Sequence, residues 1–207
     1  MPLTPEEFEA KYPILIGWIR QTVAAHAERA MPVDGFGFQR LPAYFSPALL
    51  ALARVVPVET LPMPPLSQMG LTQFTEWERI EYGGITYLDT YFVTQNELTN
   101  EALHFHELVH VLQWRLLGPE RFVALYSEGL EKFGYRSSPL EGTAYDLEER
   151  FRSSPAVFDA EAEVRQRLKG PRRVRENPAA SRVEPRAGSA CVRDQPIIRD
   201  HDGPSES

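Results

Sequence analysis

A single cysteine, Cys191, stands among 207 residues. That scarcity excludes an internal disulfide, a cysteine-built zinc cage and a Cys-x-x-Cys redox pair, so any metal must be held by histidine and carboxylate. Basic charge is also short: 22 Lys and Arg face 29 Asp and Glu, for a formal net charge of -7. Phosphate affinity is carried by Lys and Arg, so a general nucleic-acid binder is not expected. The apolar run Ile14-Leu15-Ile16-Gly17-Trp18-Ile19 near the N-terminus is too short to span a bilayer and has no basic leader. A cytoplasmic protein without membrane contact is therefore expected. Hydrophobic residues make up 43% of the chain, enough for one buried core without disulfide or membrane support.

Pattern and punctuation divide the chain. Residues 5–30 read as an amphipathic helix that opens behind Thr4, with Pro5 at its first position and Glu6 and Glu7 favoured by the helix dipole. Phe8, Tyr12, Leu15, Ile19, Val23 and Ala27 recur at helical spacing, with a break at Pro13 left open. Prolines at 32, 42, 47, 57, 62, 64 and 65 allow only short elements over 31–70, such as a helix over 47–54, and this stretch is expected to wrap the core. ITYLDTYFV, rich in β-branched and aromatic residues, predicts one strand over 85–93. Asn96 or Thr99 then caps a helix that runs to Leu117 and stops at Gly118-Pro119. Helices over 119–132, from Pro139 to Phe151 and over 155–169 complete an α+β domain at 1–170, mostly helical with a small mixed sheet. Residues 171–207 lack apolar periodicity. Seven arginines against six acidic residues give them a balance of about +1, leaving about -8 on the rest, and they read as a disordered polar tail.

Histidine is rare too, five in all, yet three fall within HFHELVH at 104–110. On a helix, His106, His110 and Gln113 share a side distinct from the apolar stripe of Leu98, Ala102, Phe105, Leu108, Val109, Leu112 and Leu116. Two imidazoles one turn apart can reach a single ion, and Glu107 sits beside the line where it can take a proton from water; this is the H-E-x-x-H arrangement. The alternative is a core helix with satisfied histidines. His104 faces another way and is assigned a supporting or surface role instead of ligation.

A catalytic zinc needs a third protein ligand and an open position. Gln113 and Leu116 break the longer H-E-x-x-H-x-x-G-x-x-H pattern, and no Met follows Met69, so the metzincin reading fails. The carboxylates that follow are Glu120, Glu128, Glu131, Glu141, Asp146, Glu148 and Glu149. Glu141 is chosen because Gly142 and Ala144 let its helix approach closely, with Glu128 or Glu148 as fallbacks; Glu148 and Glu149 otherwise read as a solvated face. Tyr135, Arg136 and Tyr145 flank the third ligand, and Tyr135 is the preferred stabiliser of a developing oxyanion.

HELVHVLQW followed by YRSSPLEGTAYDLEERF resembles the gluzincin-type, minimal zincin metallopeptidases, in which a Glu-x-x-Ala-Tyr-like segment supplies the third ligand. The resemblance covers residues 83–151. It implies a zincin-like metallopeptidase domain, Zn2+ held by His106, His110 and Glu141, Glu107 as general base, and a peptide or protein substrate. It also implies that ITYLDTYFV is the edge strand above the cleft, to which an extended peptide adds through main-chain hydrogen bonds. Two other readings differ in kind: an inactive zincin-like binding module with a structural zinc, closed by a fourth ligand such as His104, and a metal-free helical interaction protein.

Overall fold

Alternation of side chains along the strands organises the molecule. In the computed structural model, which describes residues 5–79 and 82–169, a mixed sheet of four strands has the order β1-β2-β4-β3. The strands are β1 (Met31–Pro32), β2 (Arg54–Val58), β3 (Gly84–Tyr87) and β4 (Thr90–Thr94). β2 and β4 run parallel, while β1 pairs with β2 and β3 with β4 antiparallel. Val55, Tyr91 and Val93 point into one apolar cluster and Val56, Val58 and Phe92 into another, so both faces of the sheet are covered. The chain is α+β, and the described residues fall within one compact unit, Met1–Arg172. The expected tail at 171–207 lies outside the described residues.

The helices are α1 (Pro5–Glu9), α2 (Tyr12–Ala25), α3 (Pro47–Leu52), α4 (Glu101–Leu117), α5 (Pro119–Phe133), α6 (Pro139–Ser153) and α7 (Ala160–Leu168). The expected helix over 5–30 is thus two helices. Pro13 falls in the first turn of α2, where the missing N–H costs nothing. Ala27 lies beyond α2 and is exposed, whereas Ile16 joins Ile19 in the core. Among the described residues no helix is long and apolar enough to cross a membrane.

Two expectations need correction. Residues 31–70 do more than wrap the core, because β2 is an inner strand whose Val55 and Val56 are fully buried. Pro57 is tolerated there because β1 reaches only Val55 and Arg54, and Arg29 Nη2 donates to Pro57 O at 2.6 Å where β1 has ended. ITYLDTYFV is not one strand but a hairpin, turning at Leu88-Asp89 with Leu88 at φ +62°. No Gly or Asn marks that turn, so its sequence carries no ordinary hairpin signal.

α4 is the central element, buried without interruption from His104 to Trp114. Its cap is Asn100, not Asn96 or Thr99: the Asn100 side chain accepts from Leu103 N at 3.3 Å. Gly118, at φ +77°, ends it. Phe105, Leu108, Val109 and Leu112 enter the core as the periodicity predicts, but Leu116 is exposed. α6 lies along α4 and sets the distance between the two sides of the site.

Candidate metal centre

His106 and His110, one turn apart on α4, meet Glu141 from the first turn of α6. His106 Nε2 and His110 Nε2 are 3.0 Å apart, and Glu141 Oε2 lies 3.5 and 3.4 Å from them. All three residues are buried. Among the described residues no other group of three His, Cys, Asp or Glu side chains converges closely enough to hold an ion.

The protons on these rings are settled by what lies behind them. His106 Nδ1 is 3.0 Å from Glu148 Oε2, a carboxylate that only accepts, so Nδ1 carries hydrogen. His110 Nδ1 is 2.8 Å from Gln113 Oε1, and Gln113 Nε2 donates to Leu140 O at 2.9 Å, which fixes the amide orientation. With Nδ1 so occupied, each ring presents Nε2 toward the other, and a neutral imidazole at either position offers its lone pair there. Glu141 Oε2 faces the same point, buried and without a hydrogen-bond donor, while Oε1 accepts from Tyr126 at 2.7 Å. Three lone pairs converging in a buried pocket repel one another unless a cation joins them. Tetrahedral ligands about 2.0–2.1 Å from a zinc ion lie about 3.3 Å apart, so the observed triangle has the required size.

With no metal ion, a proton takes up part of this demand. Burial opposes a charged His106, but the Glu141 and Glu148 carboxylates on either side carry its pKa up to about 10. Burial likewise works against the Glu141 carboxylate, yet the neighbouring His110 and His106 rings hold its pKa well below the ordinary range.

Glu107 is buried next to the triad, with Oε2 accepting from Thr86 Oγ1 at 2.6 Å. Burial raises its pKa, partly countered by His106 and His110. A carboxylate raised toward neutrality is suited to take up a proton and return it. A Cβ on Gly84 of β3 would lie 2.6 Å from Glu107 Oε1, so the strand passes close only because residue 84 has no side chain. β3 is an edge strand.

The other candidates divide. Tyr135 lines the same cavity as the triad, with its ring 5.2 Å from Tyr82 and 6.3 Å from Tyr145. Tyr145 packs edge-on against the His106 ring at 4.7 Å and carries the Arg136 guanidinium on its own ring. His104 is a fully buried core residue, not a surface one: Nδ1 meets Tyr91 OH at 2.8 Å and Nε2 meets Leu98 O at 2.9 Å. With both nitrogens engaged, it does not serve as a fourth ligand. Glu128 is exposed and pairs with Lys132. Glu148 is not on a solvated face; it is buried against His106, and Arg152 Nε and Nη2 donate to its Oε1 at 2.9 and 2.6 Å. The supporting roles of Glu148, Gln113 and Tyr126 are absent from the reading of the sequence. Spacing could have indicated two of them, since Glu148 is two turns beyond Glu141 and Gln113 one turn beyond His110. No protein-family model, no curated protein and no solved structure matches the chain.

Proposed function

We propose that the chain is a zinc-dependent hydrolase, a peptidase of the minimal zincin type. His106, His110 and Glu141 would hold the ion, and Glu107 is the general base. One observation carries this reading: two imidazoles turn their Nε2 atoms toward one buried carboxylate oxygen, at metal-ligand spacing, beside a second buried carboxylate with a raised pKa. Two neutral nitrogens and one carboxylate oxygen suit zinc, and three protein ligands leave a position for solvent or substrate. His104, held by Tyr91 and Leu98, does not close that position, which favours a catalytic over a structural site. Bound zinc supplies Lewis-acid chemistry, polarising a carbonyl and acidifying water.

The chain's own residues do the rest. Thr86 anchors Oε2 of Glu107 and leaves Oε1 on the side of Gly84, where it takes the proton of the attacking water and delivers it to the departing amine. Glu148 and Gln113 keep both rings turned toward the centre. Tyr135 in the cavity wall is assigned to the oxyanion.

Metal content and peptide-library cleavage test the proposal together. The purified protein should hold close to one zinc per chain and cleave peptides, and Glu107→Gln should keep the zinc and lose turnover. Undiminished cleavage by E107Q, or a native protein that takes up no zinc, would overturn it.

A further inference from the structure

The triad and Glu107 form the polar end of a cavity of about 160 Å³ whose remaining wall is mostly apolar. Part of that wall comes from outside residues 83–151: Leu15 and Ile19 come from α2, and Leu66 and Phe74 from the connection between β2 and β3. Phe122 and Leu130 of α5 close the opposite side. Among the described residues no Lys or Arg lines it, and its charged or titratable groups are those of the triad and Glu107 with nearby tyrosine hydroxyls. The geometry points to a specificity pocket for one bulky apolar side chain, aromatic or branched aliphatic, on an extended peptide substrate. This inference rests on the zinc-peptidase reading and supplies its substrate class.

Size, polarity and main-chain register agree on that occupant. An apolar cavity of about 150 Å³ admits a benzene-sized guest and stays dry without one, so this cavity suits a single Leu, Phe or similar side chain. An acidic side chain would meet no countercharge, and a basic one would compete for carboxylates committed to the centre; either would be desolvated without compensation.

Beside the cavity, β3 offers a place for substrate main chain. Tyr87 and Thr90 flank the two-residue turn as the hydrogen-bonded pair, so alternation turns the main-chain groups of Gly84 and Thr86 away from β4. Trp114 Nε1 takes Thr86 O at 3.1 Å, which leaves Thr86 N–H and both Gly84 groups on the outer edge. A peptide added there places alternate side chains toward the cavity, and Gly84 itself raises no obstacle.

Short peptidyl hydroxamates that differ in one side chain provide the test on the native, zinc-loaded protein, by isothermal titration calorimetry. Acetohydroxamate, which has no side chain, should bind the zinc-loaded protein and not the metal-free one. Failure of that arm removes the metal reading and this inference with it. Where it holds, Leu and Phe compounds should bind about 10–100-fold more tightly than the Ala compound, the span set by burying one such side chain. Asp and Lys compounds should bind more weakly than Ala. Equal affinity across the series, or a preference for Asp or Lys, overturns the apolar pocket while leaving the zinc site standing.

Discussion

His106 Nδ1 lies 3.0 Å from Glu148 Oε2, and Arg152 grips the other oxygen of the same carboxylate. A ring that donates from Nδ1 presents Nε2 as a lone pair, and a fixed acceptor behind it removes the rotational freedom that ligation would otherwise have to overcome. Glu148→Ala should therefore weaken zinc binding about 10–100-fold while the protein stays folded. Chelator competition gives the affinity and circular dichroism the fold. Glu128→Ala, which removes only an exposed partner of Lys132, serves as the comparison and should leave zinc affinity unaltered. Equal affinities in the two variants would show that Glu148 does not position the ring.

Gly84 constrains the proposed base, Glu107, in a similar way. A Cβ there would come within 2.6 Å of Glu107 Oε1 and 3.0 Å of its Cδ, distances that force the carboxylate aside. Gly84→Ala should keep the zinc, since no ligand is touched, and lower kcat/KM about 100-fold, the scale on which a misplacement of about 1 Å acts. Cleavage at the native rate would mean that Glu107 has room the close approach denies it.

Much of the arrangement is legible in the sequence, and the illegible parts have physical causes. His106 and His110 must lie on one side of any helix that carries them, and the fully buried Ala144 marks a helix able to come close, whereas Gly142 is half-buried and a Cβ there would meet only Arg136 O at 3.7 Å. Those local rules bring Glu141 into the reckoning. Glu148 escapes because helical periodicity gives the direction of a side chain and not what stands opposite; its burial depends on His106, 42 residues earlier in the chain. The hairpin at Leu88 escapes because a leucine adopts the positive φ usually left to Gly or Asn. β2 escapes because Pro57 reads as a breaker, and only the shortness of β1 makes it acceptable.

Proton release should accompany zinc binding. With no metal ion, His106 has its pKa raised to about 10, burial being outweighed by Glu141 and Glu148, so at pH 8 the ion must displace a proton from it. Below about pH 10 the apparent affinity should then rise close to tenfold per pH unit, and calorimetry in buffers of different ionisation enthalpy should find about one proton released through this ring. The stability sign follows from the same shift. A folded pKa above the unfolded value of about 6.5 gives stability that is complete below about pH 6.5 and lost as pH rises through about 10. Alkali should thus weaken the metal-free protein more than the zinc-loaded one. Binding at pH 8 with no proton released would contradict the assignment.

His104 shows the opposite sign. Burial lowers its pKa to about 4, against the smaller raising effect of its bond to Leu98 O, so it stays neutral in the fold at pH values where an unfolded histidine is charged. The unfolded chain binds the extra proton between about pH 6.5 and 4, and the stability held above about 6.5 is lost as pH falls through that window. A shift of this size corresponds to about 3 kcal/mol. Carboxylates such as Glu141 and Glu148, whose pKa values are lowered, also lose stability in acid, so the measurement must isolate the one ring. His104→Gln provides the difference. In urea denaturation of the metal-free proteins the variant should be less stable than the native chain at pH 7, because Tyr91 and Leu98 lose a fitted partner, and the gap should close by about 2–3 kcal/mol toward pH 4. A gap that stays constant over that range would mean that His104 takes up its proton in the folded core as readily as in water.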